Sequence, residues 1–370
     1  MLLKQVFYIF FKTIIPKQHN SKIFFYLTLL FILNIIIQFS ANDGNYKTLY
    51  NNFLISFISL LLYLLLNKQK YHWFIKISLP LYITSILLLL MIFLFGHNVN
   101  GSQRWLDLGF KIQPSELTKI SLPLFTASFL HQRSNNGFNS LKNIDYLLAI
   151  ILILIPTGLI LKQPDLGTAI LVFLSGFLVL IYGGLPKKFL IYGLLILTIS
   201  SPFIWYHLKD YQKYRVITML HPEQDARGKG YHVTQGKIAI GSGGWFGKGY
   251  MQGSQVHLHF IPEKNTDFIM AVLAEEFGLT GVFTLLLIYF LLLREFLLIA
   301  ENSEQPLYQA LVLGITMSIS CDIFINIGMV AGLLPVVGVP LPFISHAGTS
   351  TIINIISVAT ISSIGLKNIK

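Results

Sequence analysis

Seven ionisable residues fall in, or at the mouth of, long apolar runs: Glu116, Lys119, Asp165, Asp267, Glu275, Glu276 and Asp322. A charge at bilayer depth is costly, so such groups pair with one another or do chemistry. Asp267 has the setting best suited to proton transfer. It lies in Asn265-Thr266-Asp267-Phe268, where a polar stretch enters an apolar one. One reading makes it a helix N-terminal acid, favoured by the macrodipole, with Asn265 or Thr266 as the cap. The other makes it a general base, kept ionised by the dipole and raised toward working pH by partial burial. The two roles are compatible.

Glu116 and Lys119 are three residues apart and share a helix face. As an internal ion pair they would make a short span tolerable. As a binding group, Lys119 with Glu116 beside it would lie near the outer end of its helix and meet a phosphate. Arg104 and Arg215 are further outer-side cations. Glu275 and Glu276 are adjacent and so about 100° apart on a helix. They cannot both share the face of Asp267, and at least one is expected to pair with a neighbouring helix. Asp165 and Asp322 have the same structural reading. His97, His257, His259 and His346 lack metal-ligand spacing within one helix. Cys321 is the only cysteine, so no disulfide forms within the chain and no metal site rests on cysteine. Gly241-Ser-Gly-Gly-Trp-Phe-Gly-Lys248 lacks the Ser/Thr that would complete a phosphate-binding loop, so a nucleotide site is not expected.

The elements that must position these residues are membrane spans. The chain of 370 residues is 54% hydrophobic and 12% charged, against about 25% charged in ordinary soluble domains. Its mean hydropathy is +0.66. A span needs about 20 mostly apolar residues. Ten such runs are expected: 23–40, 50–66, 74–95, 114–130, 145–161, 166–183, 188–207, 267–298, 306–333 and 349–366. The first is longer than a signal-peptide core, and more spans follow it, so it is expected to be retained. The fold class is therefore all-α, a polytopic membrane protein in one domain over 1–370, with one large polar loop at 208–266.

The net charge of +11 does not point to nucleic acid, because the basic residues lie mostly at the ends of apolar runs. Lys4, Lys12, Lys17, Lys22, Lys68, Lys70, Lys76, Arg133, Lys142, Lys187, Lys188, Arg294, Lys367 and Lys370 fall on one set of short connections and termini. The positive-inside rule then places both termini in the cytoplasm and 208–266 outside. No internal repeat of the kind found in many transporters is visible.

The motifs are collinear. Gly101-Ser-Gln-Arg-Trp105-Leu, Gln113-Pro-Ser-Glu116-Leu-Thr-Lys119 and Lys162-Gln-Pro-Asp165-Leu-Gly-Thr-Ala169 are followed by Gly228-Lys-Gly-Tyr231 and Ala239-Ile-Gly-Ser-Gly-Gly244. Pro262-Glu-Lys-Asn-Thr-Asp267-Phe-Ile, Ala274-Glu-Glu-Phe-Gly278 and Gly338-Val-Pro-Leu-Pro-Phe-Ile-Ser345 complete the series. Together they resemble the SEDS family (shape, elongation, division and sporulation) over nearly the whole chain. Gly247-Lys-Gly249 and Gly253-Ser-Gln255 look more like its rod-shape branch than its division branch. One departure stands out. The family commonly reads Ser-x-Gly-Gly-Ser/Thr-Ser before the last helix, and here Ala347 replaces a glycine. Alanine takes positive φ less readily, so a changed loop shape is expected there.

The resemblance implies a peptidoglycan glycosyltransferase that polymerises lipid II on the outer face of the plasma membrane during cell elongation. It implies that Asp267 carries the catalytic work and that a class B penicillin-binding protein, the transpeptidase, is the partner. In such chemistry a sugar hydroxyl attacks an anomeric carbon bearing a lipid pyrophosphate, and a positioned carboxylate takes the proton. Developing charge on the pyrophosphate calls for cations rather than an acid. Lys119, Arg215 and Arg104 are expected to supply them, with Asp165 and Glu276 supporting. The one candidate cofactor is a divalent cation, Mg or Mn, held with the pyrophosphate. Lipid tails would enter between helices. Two other readings remain: a lipid II flippase with a polar path along Glu275, Glu276 and Asp322, and a non-catalytic scaffold of the elongation machinery.

Overall fold

The computed structural model describes residues 18–99, 102–107, 109, 111–134, 140–207, 210–220, 229–258, 260–261 and 263–366. Its first elements are α1 (Gln18–Ala41), α2 (Tyr46–Leu66), the short α3 (Tyr71–Lys76) and α4 (Ser78–Phe95). Strands β1 (His97–Val99), β2 (Ser102–Asp107) and β3 (Lys111–Ile112) follow. Next come α5 (Pro114–Arg133), α6 (Asn143–Lys162), α7 (Leu166–Tyr182) and α8 (Lys187–His207). The chain continues through α9 (Asp210–Leu220), α10 (Lys229–Gly243), the short α11 (Ser254–His257), α12 (Ile269–Glu301), α13 (Pro306–Val330) and α14 (Gly348–Gly365).

Ten of the described helices, α1, α2, α4 to α8 and α12 to α14, are 17 to 33 residues long and overlie the ten expected runs. Seven combine the length and hydropathy needed to cross a membrane, and α7 is a shorter apolar helix. The ends follow local chemistry. Pro114 and Pro306 open α5 and α13 at a position where a missing N–H costs nothing. Asp145 returns its carboxylate to the Lys142 N–H at the start of α6. Asn45 caps α2 through the Lys47 N–H, and Asp165 caps α7 through the Thr168 N–H.

Three details differ from the sequence reading. The run expected at 74–95 breaks at Ile77 into α3 and α4. A three-stranded antiparallel sheet, ordered β1-β2-β3, joins α4 to α5, so the fold is not wholly helical. The 208–266 segment is not an open loop but carries α9, α10 and α11, with α10 packed along α12.

The bundle centres on α5, which packs against α4, α6, α7 and α13. Nearly every residue from Pro114 to Leu130 is buried. This explains its weak apolar character: a helix shielded from lipid by protein can carry charge. Close approach of α13 is set by Gly314, where a Cβ would meet the Val179 side chain at 2.5 Å and Pro123 at 2.9 Å. By contrast α8 exposes Ile191, Leu194, Ile196 and Ile199, as a helix facing lipid does.

Candidate functional site

Asp267 lies in the 263–268 turn that leads into α12. The turn is closed by N–H donation from Thr266 and Phe268 to the Glu263 carbonyl, at 3.2 and 3.1 Å. Three successive carbonyls are then tied to three other parts of the chain. Asn265 O accepts from Gln38 Nε2 of α1 at 2.8 Å and from the His346 N–H at 2.9 Å. Thr266 O accepts from Ser345 Oγ at 2.5 Å. Asp267 O accepts from Asn326 Nδ2 of α13 at 3.0 Å. Gln38 also bonds Ile344 O, as does Asn34, so α1 grips both segments.

The Asp267 side chain is half-buried, and Gly338 lies against it. A Cβ on Gly338 would stand 3.3 Å from Asp267 Oδ2, and the residue has φ +75°, so glycine suits the position twice over. Asp267 precedes the α12 N-cap, Phe268, which makes no side-chain cap bond. The expected capping by Asn265 or Thr266 therefore does not occur. Both residues lie before the N-cap position, and their side-chain donors turn elsewhere: the Asn265 amide donates to Asn42 at the end of α1, and the Thr266 hydroxyl to Glu263 within the turn. A carboxylate at this helix start still lies at the positive end of the helix dipole.

Lys119 is placed differently. It is buried, with Nζ 2.9 Å from Glu116 Oε1 and 3.0 and 3.2 Å from the two Asp322 oxygens. The expected Glu116–Lys119 pair is present, and Asp322 of α13 completes a triad. The ammonium is not presented to a ligand at the surface. Arg104 donates to the Pro164 carbonyl and lies 3.6 Å from Asp165. Asp165 also receives Gln113 Nε2 at 3.1 Å and the Thr168 N–H, which fixes the junction of α6 and α7 to the start of α5.

Glu275 and Glu276 point to different partners, as their spacing requires. Glu275 receives Lys248 Nζ at 2.6 Å, Ser254 Oγ at 3.1 Å and the Gln255 N–H at 3.0 Å. Glu276 accepts from Ser40 of α1 and lies 3.6 Å from His257 Nε2. Just beyond them Gly278, at φ +62° and ψ −158°, kinks α12. The kink frees backbone groups on both sides, and residues 244–249 take them up. Lys248 and Gly249 donate to the carbonyls of Glu275 and Glu276, while Leu279 and Thr280 donate to those of Gly244 and Trp245. Residues 279–301 then form a separate helix about 35 Å long at 1.5 Å per residue.

A family model for the FtsW/RodA/SpoVE cell cycle proteins matches residues 18–369. The peptidoglycan glycosyltransferase MrdB of Escherichia coli K12 is 46% identical over 275 residues, covering 74% of this chain and 73% of its own. A probable peptidoglycan glycosyltransferase FtsW of Coxiella burnetii is 38% identical over 76% of each chain. Among solved structures, a chain of a peptidoglycan synthase complex that coordinates polymerization and crosslinking superposes with a TM-score of 0.80 at 28% identity, covering 94% of this chain and 98% of that one. The rod shape determining protein RodA of Thermus thermophilus superposes with a TM-score of 0.69 at 27% identity, covering 94% and 97%. The chain belongs to the SEDS family. It is a multi-pass bacterial membrane protein, and its motifs align with the rod-shape branch.

Within this SEDS chain, Arg215 lies on α9, and its side chain falls outside the described residues, as do His259 and the side chain of His97. Among the described residues no group of three His, Cys, Asp or Glu is arranged to hold a metal ion. Ala347 has φ −144°, a region open to any residue, so the loop does not need the positive φ that a family glycine suggested. The left-handed positions nearby are Gly338 and Phe343. Sequence reading missed Gln38 and Asn326, which hold the Asp267 turn from α1 and α13. Their signal was present: a wholly buried amide in an apolar helix needs a partner.

Proposed function

We propose that this protein is a peptidoglycan glycosyltransferase that polymerises lipid II into glycan strands at the outer face of the plasma membrane during cell elongation. The supporting observation is the half-exposed Asp267 carboxylate, set at a helix start on a turn tied through three successive carbonyls. The 46% identity to MrdB, against 38% and 33% to the FtsW proteins, supports elongation over division.

Asp267 takes the proton from the attacking sugar hydroxyl. The hydroxyl oxygen bonds the anomeric carbon of the other sugar, whose bond to the pyrophosphate breaks with the electron pair leaving on phosphate oxygen. A base that reaches its proton without searching turns binding into rate. Arg104 and Arg215 are assigned to the pyrophosphate charge. Lys119 is a poor candidate for that load, because it already faces two carboxylates. A divalent cation would enter on the substrate's phosphates and share their charge. Both termini are assigned to the cytoplasm, which puts Asp43, the sheet, Asp267 and residues 208–266 outside. A class B penicillin-binding protein is the transpeptidase partner, a reading supported by likeness to a synthase that couples polymerization to crosslinking.

The flippase reading loses its motivation, because Glu275, Glu276 and Asp322 each close into separate contacts rather than lining one path. The deciding experiment is a gel assay for glycan polymer with purified protein, its transpeptidase and lipid II. Asp267→Asn is expected to lower polymerisation by about 10²–10⁴-fold with insertion and partner binding intact. A well-folded Asp267→Asn variant polymerising at the wild-type rate would overturn Asp267 as the base, and purified wild-type protein that makes no polymer would favour the scaffold reading.

A further inference from the structure

Asn326 is fully buried, about one turn from the C-terminal end of α13. Its Nδ2 lies 3.0 Å from the Asp267 carbonyl and 2.7 Å from the Val339 carbonyl. Both neighbours are acceptors, so only the NH2 end of the amide can face them, and each N–H is spent on one carbonyl. The Oδ1 end has no hydrogen-bond partner. The amide has therefore given up satisfaction at one end to bridge two chain segments at the other.

Those two segments border one carboxylate. Asp267 is on the first. Val339 follows Gly338 on the second, and Gly338 is the residue that lies against Asp267 Oδ2. The bridge sets how far the backbone of Asp267 stands from the wall its carboxylate rests on. We infer that Asn326 is a positioning residue for Asp267, fixing the reach of the carboxylate toward the sugar hydroxyl. The inference rests on Asp267 being the base. Ser345 and Gln38 restrain the neighbouring carbonyls, whereas Asn326 bonds the Asp267 peptide itself and the segment opposite it.

A base displaced by about 1 Å loses on the order of 10²-fold in rate without losing substrate affinity. Asn326→Ala removes both donors, and Asn326→Ser keeps a single hydroxyl in a less disruptive form. The full chain, in bilayers with its transpeptidase, would be assayed across lipid II concentrations, with rates expressed per folded molecule. Asn326→Ala is expected to lower kcat by about 10²-fold with KM unmoved, and Asn326→Ser by less. Asp267→Asn/Asn326→Ala should be no slower than Asp267→Asn alone, because a residue acting through the base has nothing left to position. A further multiplicative loss in the double variant, an unchanged kcat per folded molecule, or a rise in KM alone would overturn the inference. So would failure of both single variants to fold, which would make Asn326 purely structural. Asp267→Asn at the wild-type rate would instead sink the base assignment itself.

Discussion

Asp267 and Lys119 are joined through a single helix face. Asn326 and Asp322, one turn apart on α13, hold the first through its backbone and the second through its charge. The two sites are nevertheless built in opposite ways. At Lys119 one ammonium is shared between two carboxylates in a buried cluster, and its hydrogens are spent on cohesion. At Asp267 the peptide backbone bears the restraint, while the carboxylate stays half-exposed. Restraint through the main chain can hold a reactive group in place whatever its side chain then meets. Restraint through the side chain can tie helices together but leaves little to offer a substrate.

The largest effect that would break this comparison is at Lys119. Lys119→Met strands Asp322 and Glu116 as buried acids, and removing one member of a buried ion pair typically costs about 3–5 kcal/mol. Thermal melts of the purified protein should show a large loss of stability, while the surviving folded molecules polymerise lipid II with near-normal KM. A selective rise in KM with unchanged melting would return Lys119 to the substrate site. Adding Asp322→Asn should recover part of the lost stability.

A smaller effect is expected at the kink that divides α12 into its first segment, 269–277, and its longer second segment, 279–301. Gly278→Ala forces a side chain into a backbone region that belongs to glycine, which costs about 1–3 kcal/mol. The new Cβ would also stand 2.3 Å from the Gly247 nitrogen. The clasp made by residues 244–249 should loosen, seen as faster amide exchange at Leu279 and Thr280. Unchanged exchange there would mean that the clasp does not depend on the kink.

The smallest effect is at Asp43, in the turn between α1 and α2. His257 lies 2.6 Å from one of its oxygens and Lys264 3.1 Å from the other. Burial pushes the Asp43 carboxyl up, but hydrogen bonds and charge from His257 and Lys264 outweigh it and hold the group below its ordinary value of 3.8. A depressed carboxylate stabilises the fold fully above its unfolded pKa, and that contribution is lost as pH falls through the folded pKa. Asp43→Asn should lower stability by less than about 1 kcal/mol at neutral pH, since the carboxylate is well exposed. The gap to wild type should close as the pH drops below 3.8. A gap independent of pH would show that charge is not what Asp43 contributes.

Much of this was legible in the sequence because a bilayer imposes a simple rule. Apolar runs near 20 residues become helices, and charges within them must find partners. The Glu116–Lys119 pair and the divergent directions of Glu275 and Glu276 follow from helical spacing alone. The third member of the triad, Asp322, lies 203 residues from Lys119, and no local periodicity reports such a distance. The 208–266 segment was harder to read. It was expected as one large polar loop, yet its Gly243 and Gly247 pack closely on α12, with any Cβ at Gly243 falling 2.0 Å from the Ala274 carbonyl. Glycine marks both flexible and tightly packed backbone, and only the neighbour tells them apart. The capping role expected of Asn265 and Thr266 failed because α12 starts two to three residues later than the polar-to-apolar boundary suggested, with Phe268 at the N-cap.

The central claim is that Asp267 serves chemistry while Lys119 serves folding. It is tested most directly by measuring the polymerisation rate per folded molecule for Asp267→Asn and Lys119→Met side by side, in one bilayer preparation with lipid II. Asp267→Asn should keep its folded fraction and lose about 10²–10⁴-fold in rate, whereas Lys119→Met should lose folded protein and keep most of its rate per molecule. The reverse pattern, an active Asp267→Asn beside a well-folded but inactive Lys119→Met, would contradict it.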